Sequence, residues 1–123
     1  IPNVAPWVRG VTHLRGSIVS VVDLRTFLGL EQLAHGSRGR LLSLQQNDMT
    51  ICFVVDAVSE MLFIPNSTIT PGAILQAPVP KWALPDAAGY ALLGTRGVVL
   101  LDAARLLFSD KVQRYELQGL EAL

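Results

Sequence analysis

Asp23, Asp56 and Asp102 are the residues best suited by type to do chemistry. Each closes an apolar run, in VSVVD, CFVVD and VVLLD. Three carboxylates could hold a metal ion or share acid and base work. A carboxylate between a strand and a helical pattern has a simpler use as an N-cap, accepting from the free amides of the next turn. Nothing in their unequal spacing gathers the three, so capping is the expectation for each. His13 and His35 are the only histidines, and no HxxxH, CxxC or HExxH spacing exists, which leaves a zinc site unsupported. GxGxxG and GxxxxGK[ST] are absent as well, and Ser17 and Ser20 lack the GxSxG context of a hydrolase nucleophile. Cys52 lies inside the apolar run Met49–Val55 and reads as a small core residue. No catalytic residue, cofactor or metal is expected, and the chain is not read as an enzyme.

Arg15 draws attention by position instead. Val8–Leu14 is rich in β-branched and apolar residues, Arg15-Gly16 breaks it, and Ile18–Val22 is a second apolar run. Two such runs around a glycine-containing break predict a hairpin. Gly16 takes positive φ at no steric cost and Arg15 does not, so a type II turn is expected at the tip. Arg15 would be presented on a rigid tip, either simply solvated or held out for a partner. Ile18, Val19, Val21 and Val22 carry apolar groups on both sides of the second strand, which predicts burial on both faces. His13, mid-strand in the first run, is expected to be packed or hydrogen-bonded. Asp23 then caps a short helix that Gly29 closes from a left-handed position.

Two more hairpins follow. Leu41–Gln45 and Met49–Val55 flank Gln46-Asn47-Asp48, and Tyr90–Leu93 and Val98–Leu101 flank Gly94-Thr95-Arg96-Gly97. Glu31–Gly39 reads as a connector, and Ala57–Leu62 fits a helical face or a strand equally. Pro65–Pro85 has no sustained period and reads as a loop between layers, with a turn at Pro71-Gly72. Asp102 should cap the helix Ala103–Phe108, and Lys111–Leu123 is compatible with a last helix. Strand, Asp and helical segment recur, which suggests related building blocks and small barrels made of hairpins.

The composition agrees with a protein-facing surface. At 123 residues the chain is one domain's worth, with ten basic and ten acidic residues and no net charge. No basic stripe interleaved with aromatics suggests nucleic acid. Charged residues make up 16%, below the roughly 25% usual for soluble domains, so apolar surface should remain outside the core. A single cysteine points to a reducing compartment, hence a cytoplasmic location. No apolar run approaches the ~20 residues of a membrane span, so no direct membrane insertion is expected.

GVTHLRGSIVSVVDLR (Gly10–Arg25) closely resembles the signature of the CheW-like domain, the adaptor that couples bacterial chemoreceptors to the histidine kinase CheA. VVDAVSEMLFI (Val54–Ile64) and GTRGVVLLDAARLL (Gly94–Leu107) agree in the same order. The resemblance implies a mainly β fold of two small five-stranded SH3-like β-barrel subdomains with short helices. It implies a non-catalytic adaptor with two partners, the cytoplasmic helical hairpin of a chemoreceptor and a CheA-type kinase. Gly10, Arg15 and Gly16 fall on family positions associated with the receptor-binding surface, a helix being laid against a groove between the barrels. The resemblance also fits a CheW-like regulatory domain within a CheA-type kinase, and a generic small-barrel peptide binder is the alternative outside chemotaxis. Family members carry early strands of the first barrel ahead of Pro6, so residues 1–123 are expected to be one CheW-like domain lacking them. Such a chain is expected to pair its open edges in a dimer, exchange strands, or cover the gap with its C-terminal tail. The family often has glycine where Cys52 and Phe53 stand and proline where Ser20 stands.

Overall fold

The computed structural model describes residues 5–31, 38–71, 79–109 and 112. The start of the chain, most of the Glu31–Gly39 connector with His35, Gly72 of the Pro71-Gly72 turn, and the tail after Phe108 except Ser109 and Val112 lie outside the described residues. The fold is mainly β, with two sheets and short helices, in two compact units. One comprises Ile1–Val58 with Leu107–Leu123, the other Ser59–Leu106.

In the first unit β1 (Val8–Leu14) and β2 (Ser17–Asp23) form the expected hairpin, and β3 (Arg40–Gln46) and β4 (Met49–Val55) form the second. The two join through β2 and β4, which run parallel from Ser20↔Ile51 to Asp23↔Val54, giving the order β1-β2-β4-β3. α1 (Leu24–Phe27) leaves β2 directly. Asp23 caps it by accepting from the Thr26 amide at 3.2 Å, and Gly29 closes it at φ +83°. Phe27 then drops onto the sheet. Its ring meets Trp7 edge-on at 5.1 Å and Phe53 of β4 at 6.2 Å. Phe27 and Phe53 are almost fully buried. Burial of each ring stabilises by about 1.5–3 kcal/mol, and each edge-on pair adds about 0.5–1.5 kcal/mol. Val22, Ile51 and Cys52 are buried as well, so Cys52 is the small core residue expected.

The second unit holds β5 (Ile69–Pro71), β6 (Ala87–Leu93) and β7 (Arg96–Leu101) in that order, all antiparallel. α2 (Ala103–Leu107) follows β7, and Asp102 accepts from the Arg105 amide at 3.2 Å, so this cap is also as expected.

Four local expectations are corrected. The first turn is type I′: Arg15 has φ +51° and Gly16 φ +82°. A two-residue hairpin loop between right-twisted strands favours the primed turns over types I and II, which would splay the strands, and this preference overrides the steric preference of arginine. Secondly, β2 is covered on both faces only toward its C-terminal end, and Ile18 is 66% exposed. Its parallel neighbour begins only at Ser20, so Ile18 projects beyond it. Thirdly, His13 is exposed rather than packed, because it pairs with Ile18 at that same uncovered end. Finally, Asp56 caps nothing, because Ala57–Pro65 forms neither helix nor strand.

The two units share one local design. Each contains a hairpin with a bulge early in its first strand, at Val8/Gly10 and at Ala87/Gly89. The aspartate at the end of β2 and the one just after β7 each donate an amide at 2.7 Å to the carbonyl of the residue preceding the hairpin, Asp23 to Trp7 and Asp102 to Asp86. Every pair of equivalent positions is 79 residues apart. The recurrence seen in the sequence is therefore a repeated hairpin, aspartate and helix.

Candidate partner-binding surface

Parallel pairing of β2 with β4 puts their preceding turns, Arg15-Gly16 and Asn47-Asp48, at the same end of the sheet. Upstream of Ser20 and Ile51 the two strands no longer pair, and the hairpins part. The opening is a groove of about 600 Å³ lined by Ser17–Ser20, Gln46–Thr50 and Phe108. Its walls mix hydroxyls and amides with Ile18, Val19, Met49 and Phe108. Asn47, at φ +54°, makes the second tip as tight as the first. An arginine on one rim and Asp48 on the other give the mouth opposite charges, both exposed.

Arg15 and Gly16 stand together at this tip. Gly10 does not join them. It lies five residues back along β1, about 17 Å at strand rise, beside the bulge. There it has φ +148°, a conformation that L side chains rarely adopt. A Cβ at Gly10 or Gly16 would meet no atom within 4 Å, so each glycine serves backbone conformation and leaves open space. Between them, Val11, His13 and Ile18 share one exposed face of the hairpin. Sequence reasoning passed over Ile18 because its apolar run reads as buried on both faces, and it gave Val11 no role. The usable clue for Ile18 is that it lies beside the turn, in the part of a strand most apt to outrun its neighbour.

One ion pair fastens β1 to the end of β2, and another joins α1 to the residue after β4. Arg9, the extra residue of the bulge, donates to Asp23 at 3.0 Å, and the Asp23 side chain is 6% exposed. One carboxylate thus caps α1 with Oδ1 and ties down β1 with Oδ2. Arg25 grips Asp56 with a two-nitrogen fork, Nε to Oδ1 and Nη2 to Oδ2, both at 2.9 Å, and donates to the Glu31 carbonyl at 3.0 Å. These hydrogen bonds hold the Asp56 carboxyl below its ordinary range and raise Arg25 above its own. Asp23 and Asp56 therefore act structurally. Among the described residues, no three metal-ligating side chains come together.

Comparison with known proteins decides the family. The family model described as CheW-like domain matches residues 1–111. The chain belongs to the CheW-like domain family. It is similar to the chemotaxis protein CheW of Klebsiella aerogenes, 29% identical over 116 residues that cover 91% of this chain and 66% of that protein. Protein PilI of Pseudomonas aeruginosa is 33% identical over 70 residues, which cover 57% of this chain and 39% of PilI. Among solved structures, the scaffolding protein TtCheW from Thermoanaerobacter tengcongensis has a TM-score of 0.73 at 22% identity, with 90% of this chain and 73% of that one covered. At that identity the likeness is one of fold. The chain spans just under two-thirds of the Klebsiella relative's length and less of PilI. Within this CheW-like chain, Gly10–Arg25 builds most of the β1–β2 hairpin and the first half of α1, and Gly94–Leu107 builds the last turn, β7 and α2. The third motif, Val54–Ile64, spans the end of β4 and the irregular segment after it.

Proposed function

We propose that the chain is a non-catalytic adaptor that couples the cytoplasmic helical hairpin of a chemoreceptor to a CheA-type histidine kinase. Membership of the CheW-like family and similarity to proteins named for chemotaxis support this reading. The observation that carries it to a surface is the β1–β2 tip. Arg15 is held at φ +51°, is exposed, and makes no side-chain hydrogen bond or ion pair among the described residues, a costly conformation that supports a role toward a partner. Arg15 supplies a directional donor fork for a receptor carboxylate. Ile18 and Val11 supply apolar contact beside it, and the bare backbone at Gly16 and Gly10 lets a helix lie close. The chain works at the cytoplasmic side of membrane receptor arrays. No helix of the described residues is long and apolar enough to cross a membrane itself.

The test is binding of a receptor cytoplasmic fragment to the wild-type chain, Arg15→Ala and Ile18→Ser. Both substitutions should weaken binding about tenfold or more, as central anchors do, with thermal unfolding unchanged. Binding that is unaffected by either substitution would remove the hairpin tip from the receptor surface.

A further inference from the structure

The two turns at the mouth of the groove carry opposite charges that the fold leaves unused. Arg15 stands on one rim and Asp48 on the other, both exposed. Among the described residues neither side chain makes a hydrogen bond or an ion pair, with the other or with anything else. The carboxylates of Asp23, Asp56 and Asp102, by contrast, each meet an arginine. Both turns are two-residue loops with a left-handed first residue, Arg15 at φ +51° and Asn47 at φ +54°. Each charge is therefore carried on a short loop, and the sheet sets the separation between the two.

In the order β1-β2-β4-β3 the two tips are centred two strand spacings apart, about 10 Å at ~4.8 Å per strand. An α-helix lying across both tips covers about 10 Å in two turns, roughly seven residues at ~1.5 Å each, and residues so spaced share one face. Between the rims the groove offers Ile18, Met49 and Phe108. Ile18 is 66% exposed and also belongs to the apolar face beside Arg15, so the groove and that face are continuous.

We propose that Asp48 is a second receptor contact and that the groove reads the direction of the receptor helix. The occupant is one helix of the chemoreceptor's cytoplasmic hairpin. It carries an acidic residue for Arg15, a basic residue about two turns away on the same face for Asp48, and apolar residues between them for Ile18, Met49 and Phe108. This rests on the receptor reading above and adds to it a charge pattern and a polarity. A reversed helix would bring its acid to Asp48 and its base to Arg15, and like charges brought together in this way reject a wrong register or partner.

The experiment measures, by calorimetry, binding of a chemoreceptor cytoplasmic fragment to the whole chain and to Arg15→Glu, Asp48→Lys and Asp48→Asn, each checked for an unchanged melting temperature. Asp48→Asn removes the charge but keeps a turn-forming residue, so it reports on the contact even where lysine disturbs the turn. The proposal expects Asp48→Lys to weaken binding about tenfold, Asp48→Asn to weaken it less, and both losses to shrink in high salt. It also expects one basic-to-Glu substitution on the receptor fragment to restore binding to Asp48→Lys. An acidic-to-Lys substitution about two turns from that residue should restore binding to Arg15→Glu. Binding that Arg15→Glu weakens and neither Asp48 variant weakens would overturn the proposal and leave the receptor reading standing. Rescue of Asp48→Lys only from another face of the receptor helix would do the same. Absence of binding, or binding indifferent to Arg15→Glu and Asp48→Lys alike, would overturn both.

Discussion

Replacing Asp23 by alanine removes two things at once, and the second unit provides the control. The Thr26 amide loses its cap, worth about 1 kcal/mol. Arg9 loses a charge-assisted partner, worth about 1.5–3 kcal/mol when fully enclosed. The Arg9 side chain is 52% exposed, so solvent screening reduces that to about 1 kcal/mol. Asp23→Ala should therefore cost about 2 kcal/mol, or about 8 °C in Tm for a chain of this size. Asp102 caps Arg105 at the same 3.2 Å, yet its own ion pair is a long 3.9 Å contact at 36% side-chain exposure. Asp102→Ala should lose only the cap, about 1 kcal/mol. Urea unfolding of both variants and of Arg9→Ala measures the difference. The Asp23 and Arg9 losses should be less than additive in the double variant. Equal losses at the two aspartates, or full additivity with Arg9→Ala, would refute the shared role given to the Asp23 carboxylate.

Three other outcomes follow from the same geometry. Phe53→Ala should cost about 3–5 kcal/mol, because the ring is buried between Phe27 and the sheet; calorimetry reads it directly. Gly16→Ala should cost about 1 kcal/mol in denaturant melts through its φ of +82° alone, since the added Cβ meets open space. The lowered Asp56 carboxyl gives stability that is present above the usual carboxylate pKa of about 4 and is lost as pH falls through its lower folded value. Asp56→Asn should therefore flatten the acid limb of a Tm-against-pH curve, and an unchanged limb would show the Arg25 fork to be thermodynamically silent.

What could be read from sequence was whatever is decided within a few residues. The three hairpins, the Asp23 and Asp102 caps and the Gly29 stop each depend on a short run of types, and each stands where it was expected. The misreadings have longer-range causes. Asp56 carries the same local pattern as the two caps, but no helix follows it, and its partner Arg25 lies 31 residues away. Ile18 belongs to an apolar run, but its exposure depends on where β4 begins relative to β2. The turn at Arg15-Gly16 was misjudged because side-chain preference was weighed without the strand twist that both residues must accommodate. The groove depends on the parallel register of two hairpins far apart in the chain. No local pattern encodes it, although both of its rims were individually legible.

The central claim concerns coupling, and phosphorylation of a CheA-type kinase tests it most directly. The kinase is mixed with membranes bearing a chemoreceptor, and autophosphorylation is timed with no addition, with the wild-type chain, and with Arg15→Ala checked for an unchanged melting temperature. The account predicts that the wild-type chain makes kinase activity dependent on the receptor and that Arg15→Ala does so poorly while remaining folded. Activity that does not respond to the wild-type chain, or responds equally to both, would contradict it.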